Sequence, residues 1–143
     1  MIVRIADVLQ NKGAEVVTIG PGVSVADLVS TLAERRIGAP PVVVDGRLVG
    51  IVSERDVVLR LHDLGAGVLT TSVSDVMTSD VVTCTPDDEI EGAATLMTDR
   101  RFRHLPVCVD DALVGIVSIG DLVKARIDAL EAEREHLQSY IAG

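Results

Sequence analysis

The stretch Val49-Gly50-Ile51-Val52-Ser53 decides the fold, because it returns as Val114-Gly115-Ile116-Val117-Ser118. In each copy an aspartate follows the serine three residues later, as Asp56 and Asp121, so the whole pattern repeats at an offset of 65 residues. Two copies of one supersecondary unit usually pack together to bury a face that neither buries alone. The sequence therefore predicts a module of two like halves, in which any pocket occurs twice.

The composition narrows the class of protein. The 143 residues are 48% hydrophobic but include one Phe, one Tyr and no Trp, so the core must be built from Val, Ile, Leu and Ala. A net charge of −9 argues against a nucleic-acid surface, which must neutralise phosphates. No apolar run has the length of a membrane span and no signal segment opens the chain, so we expect a cytoplasmic protein without membrane or nucleic-acid partners.

Each copy shows the hydrophobic pattern of a β-α-β-β-α unit. In the first copy the expected strands cover residues 15–19, 42–45 and 48–52, with helices starting at Ser24 and at Glu54. A tight Asp45-Gly46 turn joins the second and third strands, and residues 80–84 form the opening strand of the second copy. The fold class is therefore α+β, with the two repeats packed in pseudo-twofold symmetry. The predicted boundaries are residues 1–64 for repeat 1, 65–72 for a linker, 73–125 for repeat 2 and 126–143 for a helical tail.

The tail pattern predicts a long amphipathic helix. Ile127, Leu130, Leu137 and Ile141 recur at helical spacing, and charged residues fill the other faces. One interpretation is a helix packed on its own domain. The other is a contact that forms a homodimer or binds another partner, and the sequence favours neither.

The Ser-x-x-Asp pairs have two interpretations. Ser53 and Ser118 stand at the end of a strand, with Asp56 and Asp121 in the following helical turn, which is the spacing of a capping box. However, that box prefers Glu or Gln, and Asp is expected to be too short to reach back well. The alternative is a nucleotide site, because a hydroxyl at a helix start suits a phosphate and a nearby carboxylate accepts both hydrogens of a ribose diol.

The repeated hairpins ending in Gly-Ile-Val-Ser-x-x-Asp resemble those of a tandem pair of cystathionine-β-synthase (CBS) domains, the Bateman module. The resemblance covers residues 1–125. The second copy resembles in detail that of small stand-alone CBS-pair proteins. It implies a regulatory ligand, AMP, ADP, ATP or NAD(H), in the cleft between copies, with no catalytic cofactor. It also implies a disc-like homodimer acting in signal transduction, and it leaves the downstream protein partner unidentified.

The resemblance also implies roles for particular residues. Asp56 and Asp121 match the ribose-binding aspartate, and Ser53 and Ser118 match the hydroxyl residue near the phosphate. The segments that meet the adenine base or line the phosphate path match Thr18, Gly38, Ala39, Pro40, Thr83, Cys84, Arg103, His104 and Leu105.

The two predicted sites are unequal. Arg103 and His104 in the second copy stand where the first copy has Gly38 and Ala39, and Arg55 is the first copy's substitute cation. Because phosphate is bound by Arg or Lys, we expect tighter binding in the second copy. Arg103 and His104 have a simpler interpretation as a solvated pair at the start of a strand.

The sequence contains no pattern typical of catalysis or metal binding. Cys84 and Cys108 lack a C-x-x-C spacing and replace Ile19 and Val43 of the first copy, so we interpret them as small core residues. The histidines show no ligand spacing, and no nucleophile–base pair is recognisable. We therefore expect a sensor without enzymatic activity. The alternatives are a scaffolding protein with vestigial pockets and, less favoured, an enzyme that acts on a nucleotide.

Overall fold

The structure is a computed structural model that describes residues 2–13 and 15–142. Helices flank two pairs of consecutive strands along the chain, and the strands of the first pair are antiparallel. In chain order the elements are α1 (Ile5–Lys12), α2 (Val25–Arg35), β1 (Pro41–Val44), β2 (Arg47–Ile51), α3 (Glu54–Leu64), a 3₁₀ helix (Gly65–Thr70), α4 (Val73–Val76), α5 (Ile90–Arg100), β3 (His104–Val109), β4 (Ala112–Ser118) and α6 (Ile119–Ala142). The predicted α+β class and the C-terminal helix are confirmed.

The opening strands expected at residues 15–19 and 80–84 are wrong. Each segment makes a single parallel bridge instead, Ile19 to Val42 and Cys84 to Val107. Ile19 donates its N–H to the Pro41 carbonyl and accepts from Val43 N, both at 3.0 Å. The pairing stops after one residue because Gly and Pro follow the first bridge, and Thr and Pro follow the second.

The chain forms two compact units, and neither is a continuous stretch. The repeat-1 unit consists of residues 16–82 and 110–113. The repeat-2 unit consists of residues 1–15, 83–109 and 114–143. The repeat boundaries drawn from the sequence stay a prediction, since they divide the chain by similarity and not by packing.

The short helices that open the two copies are exchanged between the units. α1 comes first in the chain but lies in the repeat-2 unit, where Ile5 N donates to the Asp88 carbonyl at 2.8 Å. α4 opens the second copy but lies in the repeat-1 unit, where Val73 N donates to the Val23 carbonyl at 2.8 Å. Each unit therefore combines the opening helix of one copy with the body of the other.

The core of the repeat-1 unit is aliphatic, as the composition requires. Its buried residues are Ile19, Val25, Leu28, Val42, Val52, Val57, Val68, Val73 and Val76. Val68 lies in the 3₁₀ helix, so the segment interpreted as a linker contributes to this core. In the repeat-2 unit the corresponding fully buried side chains include Ile5, Met97, Leu105, Val107, Val117 and Leu122.

The repeated glycine of the hairpin motif is explained by close packing against the exchanged segments. A Cβ at Gly50 would lie 2.6 Å from Met77 Sδ, and a Cβ at Gly115 would lie 2.7 Å from Leu9 Cδ2. Both distances are shorter than any normal contact between such atoms. A β-carbon at either position would force the neighbouring side chain to shift, which favours glycine there independently of any ligand.

The turn between β1 and β2 also follows the prediction. Asp45 and Gly46 both have positive φ, 52° and 79°, as a type I′ turn requires. Asp110 and Asp111 form the equivalent turn with φ of 49° and 67°. Aspartate enters this region more readily than most residues, which accounts for its use in place of glycine.

Candidate functional site

The first Ser-x-x-Asp pair forms a complete capping box at the start of α3. Asp56 N donates to Ser53 Oγ at 3.1 Å, and Ser53 N donates to Asp56 Oδ2 at 2.8 Å. The Ser53 hydroxyl also donates to the same carboxylate oxygen at 3.0 Å. Our expectation that Asp is too short to reach back is wrong, because the serine φ and ψ of −116° and 164° bring its N–H within reach.

The second pair repeats this geometry at the start of α6. Ser118 N donates to Asp121 Oδ2 at 2.8 Å, and Asp121 N donates to Ser118 Oγ at 3.1 Å. In both copies, among the residues that the structure describes, the hydrogen bonds end on Oδ2 and none ends on Oδ1. Each aspartate thus caps a helix through Oδ2.

Lys12 makes the second turn different from the first. Its Nζ lies 2.6 Å from Asp121 Oδ2 and 3.0 Å from the Ile116 carbonyl oxygen. Partial burial disfavours the charged carboxylate, but the hydrogen bonds from Lys12 and Ser118 outweigh it, and the pKa of Asp121 falls below its ordinary value. Across residues 2–13 and 15–142, no cation forms such a pair with Asp56.

Sequence reasoning missed Lys12 as a site residue. It lies at the end of α1, in the segment around residues 11–13 where the first copy is longer than the second. That insertion was the only signal. Because Lys12 precedes Asp121 by 109 residues, their contact depends on the packing of α1 in the repeat-2 unit.

The remaining first-copy candidates divide into two groups. The backbone before β1 lies beside the capping turn, since Glu54 N donates to the Gly38 carbonyl at 2.9 Å and Val52 N to the Pro40 carbonyl at 3.3 Å. Ala39 and Pro40 are buried. The structure therefore brings the 38–40 segment to Ser53 and Asp56. Thr18 and Arg55 are both exposed, next to the bridge and in the first turn of α3 respectively.

The second-copy candidates repeat this arrangement. Ile119 N donates to the Arg103 carbonyl at 2.9 Å, which places the start of β3 beside Ser118 and Asp121. The Arg103 side chain is exposed, His104 is half-buried and Leu105 is fully buried. Thr83 is exposed and precedes the bridge residue Cys84.

The interpretation of Cys84 as a core residue agrees with its surroundings. Burial raises the pKa of its thiol to about 12, with further contributions from Asp88 and Cys108. Its Sγ donates to the Pro106 carbonyl at 3.8 Å. Cys84 is therefore a neutral, buried thiol. In the described part of the chain no group of His, Cys, Asp and Glu has the arrangement of a metal site.

The apolar stripe of the tail is not covered by its own unit. α6 buries Leu122 and Ala129 and packs against α1 and α5, but the predicted stripe lies on another face. Ile127 and Leu130 are 49% exposed, Leu137 59% and Ile141 83%. The interpretation of a helix packed on its own domain therefore holds for the face with Leu122 and Ala129, while the role of the largely exposed stripe stays a prediction.

A comparison with known protein families finds a match for each of the two copies. The family model of the CBS domain matches residues 5–63 and 73–128, which contain both capping turns. The chain belongs to the CBS domain family. The predicted tandem CBS pair is thereby confirmed, with one copy of the repeated Gly-Ile-Val-Ser-x-x-Asp turn in each matched segment.

Several CBS proteins are similar over most of the chain. The CBS domain-containing protein CBSX3, mitochondrial, of Arabidopsis thaliana is 38% identical over 125 residues, which is 84% of this chain. The chain spans 61% of that relative, less than two thirds of its length. The crystal structure of the CBS-domain containing protein ATU1752 from Agrobacterium tumefaciens is 44% identical, with a TM-score of 0.82 over 88% of this chain and 95% of that one.

A third similar protein, CBSX2, has a crystal structure in complex with AMP. CBSX2 is 30% identical to this chain. The TM-score between the two is 0.75, with 88% of this chain and 97% of that chain covered. Among the described residues of this CBS protein, no helix combines the length and the apolar character needed to cross a membrane.

Proposed function

We propose that this CBS protein is a regulatory sensor that binds an adenine nucleotide, AMP, ADP, ATP or NAD(H), without chemically changing it. The observation that carries the proposal is the doubled Gly-Ile-Val-Ser-x-x-Asp turn. In each turn Oδ2 is fixed by backbone donors while Oδ1 has no partner in the described chain. A carboxylate held in this way is prepared to accept ribose hydroxyls.

The electrostatics favour a small anionic ligand recognised by local donors. The chain carries a net charge of −9, so long-range attraction for phosphate is absent and neighbouring groups must supply it. The starts of α3 and α6 offer backbone N–H groups, and the proposed side-chain contributors are Ser53, Ser118, Arg55, Arg103 and His104. Thr18, Thr83, Cys84 and the backbones of residues 38–40 and 103–105 are proposed to contact the base and the phosphate path.

The relatives support the same function. CBSX2 forms a crystalline complex with AMP, and its similarity extends over most of this chain. In this chain, each capping turn is hydrogen-bonded to the backbone that leads into the neighbouring strand. We infer that the consequence of binding is a change of conformation or of partner affinity and that no reaction takes place.

Calorimetry on protein shown by native mass spectrometry to be free of ligand tests the proposal. AMP, ADP, ATP, NAD, GTP and S-adenosylmethionine are titrated under the same conditions. We expect measurable binding for adenine nucleotides and weaker binding for GTP. Equal or absent heats across the series, or turnover of the nucleotide, would contradict a non-catalytic adenine sensor.

We also propose that the protein is a homodimer in which the exposed stripe of α6 takes part. Ile127, Leu130, Leu137 and Ile141 follow spacings of three, seven and four residues, which keep them on one seam of a heptad pattern. Burying this seam contributes roughly 25 cal/mol per Å² before the cost of association. Light scattering tests it: the unmodified protein is expected to be dimeric at micromolar concentration and the Leu130→Glu, Leu137→Glu double variant more dissociated. A monomeric unmodified protein removes the proposal.

A further inference from the structure

We propose that Lys12 controls how strongly the second-copy turn distinguishes ribose from deoxyribose. The inference rests on the proposed nucleotide function and concerns the same turn. Lys12 Nζ is held by two acceptors, Asp121 Oδ2 at 2.6 Å and the Ile116 carbonyl oxygen at 3.0 Å. An ammonium group in this position occupies the carboxylate at which a ribose hydroxyl would bind.

A count of acceptor positions shows what the ammonium blocks. Each carboxylate oxygen has about two lone pairs available for hydrogen bonds. Oδ2 of Asp121 already accepts from Ser118 N and from Lys12 Nζ. Oδ1 accepts nothing from the residues that the structure describes. One sugar hydroxyl can therefore bind at Oδ1 without cost, while a diol that uses both oxygens must displace Lys12.

Asp56 provides the internal comparison. Its Oδ2 also accepts two hydrogen bonds, but both come from Ser53, one from the N–H at 2.8 Å and one from the hydroxyl at 3.0 Å. A hydroxyl is neutral and turns its proton elsewhere by rotation about one bond. An ammonium paired with a carboxylate gives up a charge-assisted bond when it leaves. The first-copy turn therefore accepts a diol more readily than the second.

The expected consequence is a difference in sugar selectivity between the two copies. AMP offers two neighbouring hydroxyls and 2′-deoxy-AMP offers one. At Asp56 the additional 2′-hydroxyl strengthens binding, whereas at Asp121 its contribution is offset by the loss of Lys12. Because the side chains of Lys12 and Asp121 are 33% and 26% exposed, the ion pair is weak, and the offset is about two- to fivefold in affinity.

The test compares AMP with 2′-deoxy-AMP by calorimetry on the full chain. The measured quantity is the Kd for 2′-deoxy-AMP divided by the Kd for AMP, at the binding event that Asp121→Asn removes. Both ligands carry the same phosphate, so any effect of Lys12 on phosphate cancels in this ratio. We expect Lys12→Met to raise the ratio about two- to fivefold. The same ratio at the Asp56-dependent event is expected to stay unchanged.

Lys124→Met is the matched control, because Lys124 is the only other lysine of the chain and lies exposed on α6. It removes the same charge and is expected to leave both ratios unaltered. If Lys12→Met fails to fold by circular dichroism, Lys12→Gln replaces it, since it keeps an N–H donor without the charge, and the ratio is again expected to rise.

The outcomes separate the two proposals. Nucleotide binding with an unchanged or lowered ratio in the folded Lys12 variant overturns the role of Lys12 and leaves the sensor function standing. Binding that Asp121→Asn leaves entirely intact also overturns it, because Lys12 then affects no nucleotide site. Absence of binding by both nucleotides to the unmodified protein overturns both proposals.

Discussion

Leu9 packs directly over Gly115, so that a β-carbon on the glycine would lie 2.7 Å from Leu9 Cδ2 and 3.0 Å from Leu9 Cδ1. The equivalent contact in the other unit is between Met77 and Gly50. In both, a side chain within an exchanged helix or just beyond its end packs against the strand that carries the repeated motif.

Alanine at these glycines is expected to destabilise the protein, and more strongly at Gly50. A Cβ at Gly50 would also lie 3.0 Å from the Thr78 carbonyl oxygen, a backbone atom that moves less easily than the end of a leucine. Overpacking of this kind costs about 1–3 kcal/mol of unfolding free energy. Chemical denaturation of Gly50→Ala and Gly115→Ala measures both values. A larger loss for Gly115→Ala would contradict the assignment of Thr78 as the less yielding neighbour.

Replacement of Asp56 separates its two roles. Asp56→Asn keeps an oxygen that accepts from Ser53 N but removes the charge, whereas Asp56→Ala removes both. We expect Asp56→Ala to cost about 1 kcal/mol through the lost cap, and Asp56→Asn to cost much less. Both are expected to weaken the Asp56-dependent nucleotide event about tenfold or more, because a charge-assisted bond is lost. Thermal melting and calorimetry of the two variants make the comparison, and unchanged affinity in both would leave Asp56 as a cap alone.

The Lys12–Asp121 pair gives stability that depends on pH. The folded pKa of Asp121 lies below its ordinary value of 3.8. Its contribution is therefore present above that pH and is lost as the pH falls through the folded pKa. Lys12→Met is expected to melt at a lower temperature than the unmodified protein at neutral pH. The two melting temperatures should converge as the pH falls below 3.8 and through the folded pKa. A difference that persists unchanged into acid would mean that Lys12 stabilises by packing.

The thiol of Cys84 is expected to resist alkylation in the folded protein. Burial raises the pKa of Cys84 to about 12, so the fraction present as reactive thiolate at pH 8 is roughly one in ten thousand. Mass spectrometry after iodoacetamide treatment should find Cys84 unmodified in the native protein and modified in denaturant. The Cys84→Val variant should fold and keep its nucleotide affinity, since only the backbone at this position is proposed to meet the ligand. Rapid native labelling would show that the bridge between Cys84 and Val107 opens readily.

Much of the fold follows from local sequence. The Asp45-Gly46 turn, the aliphatic core and the start of α3 at Ser53 depend on neighbours within a few residues, so the pattern predicts them directly. The prediction of the opening strands was wrong for the opposite reason. Their pairing depends on one residue, Ile19 or Cys84, meeting a strand more than 20 residues away, and the alternation of apolar residues does not reveal how short that pairing is.

The two capping turns were predictable from the sequence, but the contacts around them were not. The repeated Ser and Asp identify the capping turns, and the resemblance to CBS pairs indicates residues 38–40 and 103–105, whose backbones lie beside those turns. The pairing of Lys12 with Asp121 joins residues 109 positions apart and has no counterpart in the other copy. A repeat identifies what the copies share, so a residue present in only one of them is not indicated by it.

The exchange of α1 and α4 determines how a single copy of the repeat could complete its fold. In a protein made of one copy alone, the opening helix would have no docking surface within its own molecule. Two such molecules could cover both surfaces only by exchanging their opening helices. In this chain both helices of the exchange belong to one molecule, because the two copies are joined through residues 65–72. Cutting the chain between the copies would then be expected to yield two fragments that reassociate, each incomplete until it recovers the other's helix.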